Sequence, residues 1–185
     1  MNTPNKLTVS RMVMVPFFMF FELVPITRYH LLIALVIFAA ASVTDAIDGR
    51  MARKYGLVTD FGKLMDPLAD KLLVTAALVG FVQLGIADAW IAMIIIAREL
   101  LVTSMRLVAL SGGRVMAANI WGKVKTASQM SVIILVMLLC GLGLPGSAGE
   151  LCRSISYGLL WAAAAITAVS GVAYFIQNRE LFREK

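Results

Sequence analysis

Charged side chains are scarce in this sequence. Asp, Glu, Lys and Arg make up 15% of the 185 residues and hydrophobic residues make up 60%, with a mean hydropathy of +0.85. Soluble domains contain about 25% charged residues, so the composition excludes a disordered chain and argues against a soluble fold. The 17 basic against 11 acidic residues give a net charge of +6. A nucleic-acid-binding protein would carry that charge on a polar fold, so we expect a membrane protein and no nucleic acid.

Cysteine and histidine are also nearly absent. Cys140 and Cys152 are too few for a disulfide framework and have no metal-ligand spacing. The single histidine, His30, lies between two apolar stretches, where we expect a loop at the outer membrane interface. We therefore expect any metal ion to be held by oxygen ligands alone.

Six apolar stretches are separated by proline, glycine and other turn signals. A bilayer core of about 30 Å requires about 20 apolar residues per helix. The predicted spans are Val9–Leu23, Leu31–Lys54, Val58–Leu84, Ala89–Leu110, Trp121–Leu144 and Ile155–Gln177. The sequence thus predicts an all-α fold, a polytopic membrane bundle of six transmembrane helices that forms a single domain over residues 1–185.

The basic residues predict the orientation of this bundle. With six spans both termini lie on one side, and of the 17 Lys and Arg only Arg28 and Arg153 fall on the other side. Cytoplasmic loops and helix ends hold the excess of basic residues in membrane proteins. We therefore expect both termini to be cytoplasmic.

Two pairs of aspartates lie in the second and third predicted spans. Asp45 and Asp48 are three residues apart, and Asp66 and Asp70 are four apart, so each pair shares a helix face. Four carboxylates on facing helices would repel one another without a cation. Oxygen ligands favour Mg²⁺ or Mn²⁺, and four carboxylates suffice for two ions. Two such ions commonly serve phosphoryl chemistry.

A purely structural interpretation of the aspartates is that they form buried salt bridges. Their partners would be Arg53, Lys63 and Lys71. Ion pairs alone, however, do not require four acids at helical repeats on consecutive spans, so we favour the metal site.

Four basic residues in the fourth and fifth spans are candidates for binding an anionic substrate. Arg98 and Arg106 lie in apolar sequence and need an anion or Glu99 as partner, and Lys123 and Lys125 begin the fifth span. Because Glu99 and Arg106 are seven residues apart and share a helix face, we expect Glu99 to orient Arg106. Anchoring to the cytoplasmic surface is the alternative role for these cations.

The aspartates belong to a longer motif, Asp45-x₂-Asp48-Gly49-x₂-Ala52-Arg53-x₈-Gly62-x₃-Asp66-x₃-Asp70. This motif resembles the signature of the CDP-alcohol phosphatidyltransferases at all eight fixed positions. Three further stretches resemble the bacterial members that use sn-glycerol 3-phosphate, so the similarity spans nearly the whole chain. They are Pro4-Asn5-Lys6-Leu7-Thr8-x₂-Arg11, Ala97-Arg98-Glu99 with Arg106, and Gly122-Lys123-Val124-Lys125-Thr126-x₂-Gln129.

The resemblance implies a six-helix enzyme of the bacterial cytoplasmic membrane, usually a homodimer. Such an enzyme transfers the phosphatidyl group of CDP-diacylglycerol to an alcohol, here sn-glycerol 3-phosphate, and releases CMP. The resemblance implies that two divalent ions, Mg²⁺ or Mn²⁺, are held by Asp45, Asp48, Asp66 and Asp70, with Asp70 also the catalytic base. It places around the CDP moiety Asn5, Thr8, Arg11, Gly49, Ala52, Arg53 and Gly62. We assign Arg98, Arg106, Lys123 and Lys125 to the acceptor phosphate.

Two alternative functions share some of these features. A cation-coupled transporter also carries acids within the membrane, but it usually has internal repeats and acids near the midplane. A cardiolipin, phosphatidylserine or phosphatidylinositol-phosphate synthase would keep the motif and differ only in the acceptor pocket.

Cysteine labelling of spheroplasts tests the predicted orientation. In a chain whose native cysteines are replaced by alanine, Thr27→Cys should react with an impermeant thiol reagent added from outside. Arg183→Cys should react only after the membrane is permeabilised, because the termini are expected to be cytoplasmic. The reverse pattern would invert the orientation.

Overall fold

The computed structural model describes the backbone of residues 3–54, 60–111 and 120–179, and the side chains of residues 8–44, 65, 68, 69, 71–109, 122 and 124–179. These segments form six α-helices and contain no β-strand. The helices are α1 (Thr3–Leu23), α2 (His30–Lys54), α3 (Asp60–Gln83), α4 (Ala89–Ser111), α5 (Ile120–Gly141) and α6 (Gly146–Gln177). The predicted all-α fold is confirmed.

Two helices begin well before the predicted spans. Helix α1 starts at Thr3 instead of Val9, and α6 starts at Gly146 instead of Ile155. Hydropathy locates only the apolar part of a helix, whereas the backbone hydrogen bonds continue through polar turns. The early turns of α6 contain Glu150 and Arg153, which made this segment resemble a loop in the sequence.

The helices pack in two groups that share a core. Helix α1 contacts both α2 and α3, while α6 contacts α4 and α5; contacts of α2 with α5 and of α3 with α4 join the groups. Phe18 of α1 and Phe38 of α2 are fully buried, with ring centroids 5.7 Å apart. Ala34, Ala41 and Ala77 are also buried, and such small side chains allow helix backbones to approach closely.

Two arginines join the three short connections at one end of the bundle, which we call the outer end. Arg28 Nη2 donates to Gly143 O at 2.7 Å, and Arg153 Nη2 donates to Leu84 O and Gly85 O at 3.1 Å each. The φ angles of Gly85 and Gly143 are 65° and 56°, a left-handed conformation that often terminates a helix. Carbonyls at helix C-termini lack intrahelical donors and attract cations. The two arginines therefore bind carbonyls just beyond the ends of α3 and α5.

Large apolar side chains are exposed along every helix. Phe17, Val36, Leu101 and Val172 are among those at least 60% exposed. Exposed apolar surface of this kind often marks contact with a membrane or a partner. Two described helices contain stretches long and apolar enough to cross a membrane, Val124–Gly141 and Gly146–Gln177, and shorter apolar helices cover His30–Thr44 and Lys71–Gln83. The number of spans, six, stays a prediction.

Candidate active site

The two aspartate pairs lie at the same end of the α2–α3 hairpin, opposite the outer end. Asp48 is six residues before the end of α2, and Asp66 is six residues after the start of α3. At 1.5 Å per residue both lie about 9 Å from these helix ends. Asp45 and Asp70 lie about one turn further in, and the two helices contact each other. The backbone therefore brings the four residues to similar levels on neighbouring helices.

Helix α1 places a buried cation at the same level. Arg11 is eight residues after the start of α1, about 12 Å along the helix, and α1 packs against both α2 and α3. Arg11 and Thr8 are each 1% exposed. Burial of a guanidinium group is tolerated only in polar or anionic surroundings. The assignment of Arg11 and Thr8 to the CDP moiety stays a prediction.

The remaining residues of the predicted metal and CDP sites have side chains outside the described ones. These are Asp45, Asp48, Asp66, Asp70, Asn5, Gly49, Ala52, Arg53 and Gly62, and the same holds for Lys123. Among the side chains that are described, no three His, Cys, Asp or Glu lie together as a metal site would require. The donor set of four carboxylates fits hard divalent ions in number and chemistry, and the two-ion site stays a prediction.

Three cations from three helices converge on the carboxylate of Glu99 in α4. Lys125 Nζ of α5 donates to Glu99 Oε1, Arg98 Nη1 donates to the same oxygen at 3.0 Å, and Lys71 Nζ of α3 lies 4.0 Å from Oε2. The side chain of Lys125 is 4% exposed and that of Arg98 is 11% exposed. Among the described side chains, the cluster thus contains three positive charges and one negative charge, a balance that suits an anionic ligand.

A small cavity adjoins this cluster. Its volume is about 30 Å³ and its lining includes Lys71, Glu99, Lys125 and Gln129, so it has room for one or two water molecules. Gln129 is 3% exposed, and neither of its amide atoms has a hydrogen-bond partner within the described part of the chain. Buried amides almost always have partners. The cavity therefore offers both a donor and an acceptor to a small polar group.

Helix α6 contacts both arginines of α4. Arg98 Nη2 donates to Ser170 Oγ at 2.7 Å. Arg106 Nε donates to the hydroxyl oxygen of Tyr174 at 3.2 Å, and the guanidinium carbon lies 5.6 Å from the tyrosine ring centroid. The expectation that Glu99 orients Arg106 is wrong, because Glu99 contacts Lys125, Arg98 and Lys71 while Arg106 contacts α6.

The structure thus unites some of the predicted acceptor residues and separates others. Arg98 and Lys125 meet at Glu99, whereas Arg106 lies two turns further along α4, exposed and close to the helix end. Sequence reasoning assigned no role to Gln129, Ser170 or Tyr174. Gln129 ends a stretch that the sequence analysis had singled out, one helical turn after Lys125, but no sequence pattern indicates which face of α6 meets α4.

Comparison with known proteins identifies the family. Residues 1–169 match the family model of the CDP-alcohol phosphatidyltransferases. The chain is 44% identical to the CDP-diacylglycerol–glycerol-3-phosphate 3-phosphatidyltransferase of Bacillus subtilis, over 98% of this chain and 97% of that protein. It is 35% identical to the protein of the same name from Rickettsia bellii, over 98% and 97%. It is also 42% identical to a probable phosphatidylglycerophosphate synthase of Mycobacterium tuberculosis, over 74% of this chain and 66% of that protein. Because both the family model and full-length relatives match, the chain belongs to the CDP-alcohol phosphatidyltransferase family.

Proposed function

We propose that this protein transfers the phosphatidyl group of CDP-diacylglycerol to sn-glycerol 3-phosphate, giving phosphatidylglycerophosphate and CMP. The observation that carries the proposal is the 44% identity to the Bacillus subtilis enzyme over nearly the full length of both chains. Arg106 near the inner end of α4, Lys123 and Lys125 near that of α5, and Arg98 midway along α4 support a phosphate-bearing acceptor. A dianionic group requires several positive partners near a membrane.

The transfer requires attack of an alcohol on a phosphorus atom of the donor. The acceptor hydroxyl oxygen forms a bond to the phosphorus that carries diacylglycerol, and the bond from that phosphorus to the bridging oxygen breaks. CMP leaves with this oxygen, and Asp70 takes the proton of the hydroxyl group. Arg53 neutralises charge on the departing phosphate.

Two metal ions, Mg²⁺ or Mn²⁺, would be held by Asp45, Asp48, Asp66 and Asp70. When bound, they would neutralise the pyrophosphate and polarise the reacting phosphorus. Around the cytidine and phosphates we place Arg11 and Thr8 of α1, supported by their burial at the level of the aspartates. Asn5, Gly49, Ala52, Arg53 and Gly62 complete the predicted donor site.

The acceptor phosphate would be bound by Arg106 together with Arg98, Lys123 and Lys125. Arg106 is exposed, and within the described part of the chain only its Nε donates a hydrogen bond. Its two terminal nitrogens are therefore available for the bidentate contact that guanidinium groups make with phosphate. The carboxylate of Glu99 would hold the side chains of Arg98 and Lys125 in place through its two contacts.

The enzyme would lie in the bacterial cytoplasmic membrane as a multi-pass homodimer with both termini in the cytoplasm. Support comes from the apolar side chains exposed on every helix. The distribution of basic residues also supports it, because only two of the 17 Lys and Arg are expected on the outer side. The CDP moiety and glycerol 3-phosphate are water-soluble, whereas the acyl chains remain in the bilayer. A site near the inner ends of α2 and α3 satisfies both requirements.

An acceptor panel tests the proposed reaction. Protein purified in detergent is incubated with CDP-diacylglycerol, Mg²⁺ or Mn²⁺, and one acceptor at a time. We expect abundant CMP only with sn-glycerol 3-phosphate, and none with glycerol, which lacks the phosphate. Preferred use of serine, inositol phosphate or phosphatidylglycerol would assign the chain to another reaction of its family, and no CMP with any acceptor would contradict the proposal.

Metal dependence is tested at the aspartates. Asp66→Asn should lower CMP release at least roughly 100-fold, because loss of one ligand disrupts a charge-stabilised transition state. EDTA should have the same effect, reversed by Mg²⁺ or Mn²⁺. Asp88→Asn is the matched control, since Asp88 is an exposed aspartate at the outer end. Near wild-type turnover of Asp66→Asn, or activity in EDTA, would exclude the two-metal site.

Substitution of Arg106 tests the acceptor site. Arg106→Lys keeps the charge but loses the planar guanidinium group, so the KM for glycerol 3-phosphate should rise about tenfold. The KM for CDP-diacylglycerol should change much less, and Lys125→Ala should act in the same direction. Arg179→Lys, at an exposed position beyond α6, is the control. A rise confined to the KM for CDP-diacylglycerol would assign these cations to the donor.

A further inference from the structure

Helix α6 holds the guanidinium group of Arg98 through a buried hydroxyl. The 2.7 Å hydrogen bond from Arg98 Nη2 ends on Ser170 Oγ, and Ser170 is 1% exposed. Arg98 Nη1 contacts Glu99 on its own helix. The two contacts on different helices fix the plane of the guanidinium group, which a single contact would leave free to rotate.

A glycine in α6 makes room for the stem of Arg98. A Cβ atom added to Gly171 would lie 2.9 Å from Arg98 Cγ, closer than normal contact distance. The aliphatic part of Arg98 therefore crosses α6 where the helix has no side chain. Gly158 of the same helix differs, since a Cβ atom there would meet nothing within 4 Å.

Arg106 contacts the same side of α6 one turn later. Tyr174 follows Ser170 by four residues, so both lie on one helix face. The tyrosine is 3% exposed, and it binds Arg106 through both its hydroxyl group and its ring. Such contact with Nε and the guanidinium face leaves the terminal nitrogens of Arg106 for a ligand.

We infer that the face of α6 formed by Ser170, Gly171 and Tyr174 positions Arg98 and Arg106 for the acceptor phosphate. This inference rests on the proposed function. The three residues are positioning residues, because they act through the arginines and need not touch a substrate. Without them the arginines would keep their charge but lose the fixed geometry that phosphate recognition by a planar group requires.

Kinetics of Tyr174→Phe test the inference most directly. This change retains the ring beneath Arg106 and removes only the hydroxyl group, so the folded structure should be preserved. The KM for glycerol 3-phosphate should rise about fivefold, the loss expected for one hydrogen bond of typical strength. The KM for CDP-diacylglycerol and kcat should stay within about twofold of wild type.

A double-mutant cycle shows whether Tyr174 acts through Arg106. In the Arg106→Lys background, Tyr174→Phe should have almost no further effect on the KM for glycerol 3-phosphate, because the contact is already lost. Gly171→Ala should also raise this KM, whereas Gly158→Ala, the matched control on the same helix, should not.

The results separate this inference from the proposed function. If wild-type protein does not use glycerol 3-phosphate, the proposed function fails. If Arg106→Lys raises the KM for glycerol 3-phosphate while Tyr174→Phe leaves it unchanged, the function stands and the inference is overturned. Additive effects of Tyr174→Phe and Arg106→Lys would also overturn it. Should Gly171→Ala fail to fold, the Tyr174 cycle still decides.

Discussion

The ion-pair cluster around Glu99, halfway along α4, is the interaction on which the arrangement of buried and half-buried cations in α3, α4 and α5 depends. An ionised group in an apolar bundle requires an opposite charge or water, and three cations from α3, α4 and α5 meet that requirement at one carboxylate. Without Glu99, the positive charges of Lys71, Arg98 and Lys125 would repel one another in a medium of low dielectric constant. Glu99 therefore permits a concentration of positive charge that a phosphate-binding enzyme needs.

The two ends of the bundle use basic residues differently. At the outer end, Arg28 and Arg153 donate to backbone carbonyls and join the connections between helices. In α4 and α5, Arg98 and Lys125 surround a carboxylate, and Arg106 is exposed beside Tyr174. The described contacts of Arg28 and Arg153 are therefore with the backbone, whereas those of Arg98, Lys125 and Arg106 are with side chains.

Much of the helical framework followed from the sequence, because apolar stretches and turn residues are local signals. Helix bounds agree to within three residues at both ends for α2, α3, α4 and α5. The similar depth of Asp48 and Asp66 in the bundle also follows from the sequence. Both are close to the short connection between α2 and α3, and such a connection forces the two helices to run antiparallel. The family was predicted from the aspartate motif and is confirmed.

Tertiary contacts between distant helices could not be predicted in this way. Helical spacing placed Glu99 and Arg106 on one face of α4, but it could not show that Lys125 of α5 lies closer to Glu99. The contact of Arg106 with Tyr174 joins residues 68 apart in the sequence, and it depends on how α6 packs against α4. The start of α6 was missed for a different reason, since polar turns that cap another helix resemble a loop in a hydropathy profile.

In the multi-pass arrangement proposed above, the length of α6 links its packing against α4 to the membrane. Its 32 residues extend about 48 Å, whereas the hydrocarbon core of a bilayer is about 30 Å thick. A helix of this length must tilt or extend into the headgroup region. Arg153 holds the outer turns of α6 against the end of α3. A change in the tilt of α6 would therefore displace its inner end, where Tyr174 meets Arg106. In that arrangement, the thickness of the bilayer would influence how α4 and α6 meet.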